Sequence, residues 1–167
     1  MTLMGYVSYV IASNWSPNGR RIVTVSFDNT AKICDAVTGE CLMTLTGHEI
    51  GVNSASYSPD GRWIVTASLD KTSKIWDAVT GECLLTLMGH ELFVESASYS
   101  PDGRRIVTAS VDGTAKIWDA ATGKCLDTLP NIPGLIVHGV DFRNLHPDSK
   151  FTDEEKELLR RYGALID

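Results

Sequence analysis

The sequence contains no run of Lys or Arg longer than two, and its formal net charge is −6 at pH 7. That combination argues against the phosphate binding that dominates nucleic-acid affinity, so no nucleic-acid partner is expected. No apolar stretch approaches the roughly 20 residues a membrane helix needs, and no membrane association is expected. The apolar opening from Met1 to Ser13 lacks a basic segment ahead of it and matches later parts of the chain. It reads as structure rather than as a signal peptide. No C-x-x-C pair occurs among the four cysteines, which removes the usual zinc framework. No phosphate-binding glycine loop or isolated nucleophile stands out. Neither a metal nor another cofactor is expected. What is present is a composition of 43% hydrophobic and 22% charged residues, which suits a folded domain rather than a disordered chain.

Three of the cysteines, Cys41, Cys83 and Cys125, lie 42 residues apart. Such spacing puts them at equivalent positions of different units, not beside one another. Cys34 and Cys41 flank one hairpin turn and could approach across it. Free thiols in a reducing cytoplasm are the expectation for all four.

The same period runs through the chain. Ser16-Pro17-Asn18-Gly19-Arg20 recurs as Ser58-Pro59-Asp60-Gly61-Arg62 and as Ser100-Pro101-Asp102-Gly103-Arg104. Three units follow, 3–44, 45–86 and 87–128, within a region 1–130. The second and third agree at 31 of 42 positions, so they must share one backbone conformation. Within the second unit, apolar runs alternate with turn signals. Strands are predicted over Val52 to Tyr57, Trp63 to Ser68, Thr72 to Asp77 and Glu82 to Leu87. The intervening turns carry Pro59, which presets φ, and Gly61, which tolerates positive φ. Four short strands per period of about 40 to 45 residues make the blade of a β-propeller.

The spaced pattern Gly47-His48, Asp70, Ile75-Trp76-Asp77 and its repeat Gly89-His90, Asp112, Ile117-Trp118-Asp119 resembles the WD-repeat family. The resemblance spans about residues 3 to 129 and implies an all-β fold of propeller blades. It also implies a hydrogen-bonded set inside each blade, here His48, Ser68, Asp70 and Trp76, then His90, Ser110, Asp112 and Trp118. The residue types mimic a hydrolase triad, but a triad is needed once, in a cleft, with an oxyanion hole. One set per blade fits a buried structural network better, and no enzyme activity is expected. The first unit departs from the pattern, with Tyr6 in place of His and Cys34 in place of Trp. Ser26 and Asp28 remain, so the full set cannot form there.

Three blades do not close a ring, since propellers have about four to eight. Met1 to Met4 matches the fourth strand of a preceding blade. Self-association, a partner supplying blades, or a longer gene product would complete the structure. The segment 131–167 differs in composition. Pro130 and Pro133 break the repeat, and Leu135 to Phe142 is strand-like. A short C-terminal α-helix is predicted, with Thr152 and Glu155 as a capping box, Gly163 at its end, and Leu158, Leu159 and Tyr162 along one apolar stripe. His138 and His146 have no partners at ligand spacing.

The resemblance implies a protein-binding scaffold, with partners presented to one rim of the ring. By motif position that rim offers Tyr9, Ile11, Phe27, Asn53, Leu69, Phe93, Glu95 and Val111. The second and third units differ at 11 positions, and five of these lie in or beside the two rim loops: Ile50/Leu92, Gly51/Phe93, Asn53/Glu95, Leu69/Val111 and Lys71/Gly113. A fixed scaffold with varying loops is expected of a binding face, and neutral drift in exposed loops produces the same pattern. The alternative is a structural or sensor segment of a larger assembly.

Overall fold

The computed structural model describes residues 8–129. The chain divides into two units, Met1–Pro130 and Asn131–Asp167, and every described residue belongs to the first. The predicted segments Met1 to Met4, Leu135 to Phe142 and the C-terminal helix, together with Tyr6, lie outside the described residues.

Three antiparallel sheets of four strands follow one another along the chain. The first blade comprises β1 (Val10–Trp15), β2 (Arg21–Ser26), β3 (Thr30–Asp35) and β4 (Cys41–Thr46). The second comprises β5 (Val52–Tyr57), β6 (Trp63–Ser68), β7 (Ser73–Asp77) and β8 (Cys83–Leu87). The third comprises β9 (Val94–Tyr99), β10 (Arg105–Ser110), β11 (Ala115–Asp119) and β12 (Cys125–Leu129). Each blade is a simple meander in chain order. These are all-β propeller blades, and they do not form a closed ring.

Two strand starts move inward by one residue from the sequence expectation. Thr72 stands just ahead of β7, with its N–H and Oγ1 both donating to Asp70 Oδ1. Glu82 likewise gives its N–H to Thr80 Oγ1. Local side-chain acceptors here compete with the sheet ladder.

Period-two geometry explains why the second strands read as nearly continuous apolar runs. Successive side chains point to opposite faces, and the middle blade is covered on both. Ile64 enters a core with Val23, Val25, Ile33 and Leu45 of the first blade. Its neighbour Val65 enters another with Val94, Ala97 and Ile106 of the third. A register bulge recurs between the third and fourth strands, at Ile33/Cys34, Ile75/Trp76 and Ile117/Trp118. An extra residue there re-aims the chain beside the Trp position.

The Ser-Pro-Asp-Gly turns join first to second strands. In the second blade Ser58 Oγ donates to Asp60 Oδ1, which also accepts the Arg62 N–H, while Ser58 O accepts from Gly61. Gly61 has φ +74, a conformation costly for a residue with a Cβ.

Candidate functional site

Gly47 and Gly89 lead the chain out of β4 and β8 past a tryptophan. A Cβ at Gly47 would lie 3.2 Å from Trp76 Cη2, and one at Gly89 3.4 Å from Trp118 Cη2. The missing side chain lets the backbone cross the indole edge and deliver the next residue, a histidine, into the blade. His48 Nδ1 then lies 2.6 Å from Asp70 Oδ2, and its Nε2 2.7 Å from Thr66 Oγ1. Trp76 Nε1 donates to the same hydroxyl at 2.9 Å. The third blade repeats this through His90, Asp112, Thr108 and Trp118, at 2.8, 2.7 and 2.8 Å.

Donor logic fixes the direction of the chain of bonds. An indole N–H only donates, so Thr66 Oγ1 accepts from Trp76; the same oxygen lies 2.7 Å from His48 Nε2 and 3.4 Å from Lys74 O, and its proton takes the shorter contact when the imidazole is neutral. The remaining ring hydrogen sits on Nδ1 and is donated to the Asp70 carboxylate. A histidine held below its ordinary pKa of 6.5 is neutral at pH 7. Burial lowers the His48 pKa and outweighs the opposing pull of Asp70. Burial acts to raise Asp70, but hydrogen bonds from Thr72, His48 and the Glu49 amide prevail and hold it below the usual carboxylate range. Asp112 is held low in the same way, with burial outweighed by Thr114, the Glu91 amide and His90.

The hydroxyl in this set is thus Thr66 or Thr108, not Ser68 or Ser110 as the motif implied. Ser68 Oγ instead accepts the Asp70 N–H at 3.1 Å and lies 2.9 Å from Ile50 O and 3.0 Å from Gly51 O. Ser110 Oγ accepts from Asp112 N and donates to Leu92 O. Both serines close the strand end, whereas the threonines stand two residues deeper on the same face, between imidazole and indole. In the first blade Thr24 is retained, with Cys34 in the Trp place and within hydrogen-bond reach of it. Burial raises the Cys34 thiol pKa, and the neighbouring Cys41 adds to the effect. The two cysteines are register partners across β3 and β4. All four cysteines are free thiols.

Chemically, the network ties each inter-blade loop to the second and third strands of the next blade. Thr66 is fully buried and the His48 and Asp70 side chains are 1% and 7% exposed, so the set presents little accessible surface.

The rim residues are brought together in pairs by the backbone. Phe27 N donates to Tyr9 O, Leu69 N to Gly51 O, and Val111 N to Phe93 O. Tyr9, Phe27, Phe93 and Val111 are exposed there, joined by Ile50 and Leu92. Ile11 and Glu95 are exposed on the first strands. Leu69 is half-buried. Asn53 is half-buried, and one N–H of its amide is used within the fold, donating to Val94 O in the next blade at 3.0 Å. The Gly51/Phe93 difference also has a packing cause. A Cβ at Gly51 would lie 2.7 Å from Phe27 Cδ1, so a large neighbour on the preceding blade requires glycine. Sequence comparison of units missed this because the partner lies in another repeat. The Lys71/Gly113 difference sits where the backbone has positive φ, 71° and 81°.

Among the described residues no group of three or more His, Cys, Asp or Glu is placed to hold a metal ion. No helix among them is long and apolar enough to cross a membrane. No curated protein matches the sequence at a significant level. The family model for the WD domain, G-beta repeat, matches residues 1–35, 39–77 and 81–119. The second and third matches start just before one blade's fourth strand and end with the next blade's third, the stretch that the His–Asp–Thr–Trp network ties together, and the first ends with β3. Sequence model, strand order and network therefore coincide over successive units, and the chain belongs to the WD-repeat family.

Proposed function

We propose that the chain is a protein-binding scaffold whose partner sits on the rim built from the loops before the first strands and between the second and third. WD repeats generally mediate protein–protein interactions. The observation that carries the reading here is the row of exposed apolar side chains on that edge: Tyr9, Phe27, Ile50, Leu92, Phe93 and Val111. Contiguous apolar surface rimmed by polar groups marks interaction sites, and rigid aromatic anchors lose little entropy on binding. Ile11, Asn53, Leu69 and Glu95 would border the patch. In this reading the partner is a protein rather than nucleic acid or a membrane, the compartment is the cytoplasm, and the buried networks hold the fold without catalysing a reaction.

The test compares proteins retained by the immobilised chain, by Phe93→Ala and by Arg104→Ala, with mass spectrometry as the readout. Arg104 is exposed in the turn at the opposite edge. A set of proteins lost with Phe93→Ala and kept with Arg104→Ala supports the rim. Equal retention by both variants overturns it. Unfolding by Phe93→Ala would instead place Phe93 in the core.

A second reading has its own support. Among the described residues no strand covers the outer face of the third blade: Val107 is 40% exposed, whereas its counterparts Val23 and Val65 are 0% exposed. That favours a segment working inside a larger assembly, completed by blades from another source.

A further inference from the structure

We propose that the uncovered face of the third blade takes the first blade of a second copy of this chain, in the register already used twice within the chain. The proposal rests on the larger-assembly reading and names its partner and geometry.

The two internal blade boundaries state what such a contact requires. Pro17 of the first blade packs on Gly61 of the second, and Pro59 packs on Gly103 of the third, each 3.5 Å from the position a Cβ would take. The next members of that series are Pro101 and Gly19. Pro101 is exposed, and Gly19 has nothing within 4 Å of its Cβ position. Arg21 donates from its guanidinium to Ala78 O across the first boundary at 3.0 Å. Its counterpart on the third blade is also an arginine, exposed Arg105, and the counterpart acceptor is Ala36 O of a first blade. The covering strand has unused surface as well. Val10 is 49% exposed and Trp15 59%, where the equivalent Val52 and Tyr57 are 0% and 7% exposed. Proline, arginine and valine thus wait on one face, and glycine, carbonyl and an apolar strand wait on the other.

A head-to-tail contact of this kind either closes into a ring or runs on as a filament. Propellers close at about four to eight blades, and six is the one multiple of three in that span. Two copies of the three described blades supply that number. One position departs from the internal pattern. Asp127 stands where Met43 and Leu85 pack against Gly81 and Gly123 of the following blade. Aspartate offers less apolar area there, so Asp127→Leu should tighten the pairing.

The experiment is the mass of the full chain in solution, by sedimentation equilibrium across concentrations. The expected result is a species of twice 18.2 kDa that does not grow further. Val107→Arg and Trp15→Arg, on opposite faces of the contact, should each weaken pairing by on the order of tenfold or more. Mixing the two variants should restore a heterodimer, because one of its two contacts is then wild type on both sides. Arg105→Glu is a surface change that leaves the fold intact and should weaken pairing too. A monomer at every concentration overturns both this register and the larger-assembly reading. A wild-type dimer indifferent to Val107→Arg, Trp15→Arg and Arg105→Glu leaves that reading standing and overturns the register. Loss with Trp15→Arg alone would mean two first blades meeting each other, which also overturns it.

Discussion

Replacing Thr66 by valine keeps the shape of the side chain and removes one oxygen. That oxygen accepts from Trp76 Nε1 at 2.9 Å and meets His48 Nε2 at 2.7 Å. Thr66, His48 and Trp76 are all buried, so water is not at hand to replace it. Each buried polar group left unpaired costs about 1–3 kcal/mol. Two groups are stranded, giving a loss of roughly 2–6 kcal/mol for Thr66→Val. In a domain of this size that lowers Tm by on the order of 10 °C or more. The sharper measurement is a double-mutant cycle with Trp76→Phe, which removes the donor while keeping an aromatic ring. Once the indole N–H is gone, losing the oxygen strands only the histidine, so the two substitutions should be non-additive by about 1 kcal/mol or more. Ser68→Ala with Trp76→Phe is the comparison, since Ser68 Oγ has other partners. That pair should be closer to additive. Urea unfolding monitored by tryptophan fluorescence gives all the free energies. Additivity for Thr66 and coupling for Ser68 would refute the assignment of the hydroxyl.

Acid should destabilise the fold through His48. Its folded pKa lies below the value of 6.5 it has when unfolded, so the unfolded chain binds the extra proton as pH falls. The stability is whole above about pH 6.5 and is lost as pH falls from there toward the folded pKa, by at most about 1.4 kcal/mol per pH unit for one group. A flat Tm between pH 7 and 5, or the same slope in His48→Gln, would contradict this. Trp118→Ala should cost about 3–5 kcal/mol, as for truncating a large buried aromatic. Cys34→Ala, at the equivalent place in the first blade, should cost less because one sulfur atom is removed, and equal losses in chemical denaturation would speak against the equivalence.

Much of each blade was legible because the chain says the same thing in successive units. Pro59 and Gly61 mark a turn, the apolar alternation marks the strands, and the His–Asp–Trp spacing marks the network. The choice of hydroxyl was not legible. Thr66 and Ser68 differ by two residues, point to the same face and carry the same group, and only the reach of the Trp76 indole decides between them. The first-blade network was half legible: Cys34 announced the loss of the indole, while the place of Thr24 beside it shows only in the fold.

Contacts between blades are harder to read than contacts within one, for a physical reason. A residue inside a blade meets partners from the same unit, so aligning the units aligns both members of the pair. A boundary residue meets a different position of the next unit, and aligning the units separates the pair. Gly51 opposite Phe93 looks like free loop variation until Phe27 is found lying over Gly51. Pro17 and Gly61 look like two halves of separate turns until they are found in contact. The differences between units therefore divide into two kinds. Some answer a neighbour across the boundary, as Gly51 answers Phe27 and Asn53 answers the Val94 carbonyl. Others, such as Ile50/Leu92, are exposed on the rim in both units. Packing constrains the first kind, and only the second is open to being shaped by what the rim binds.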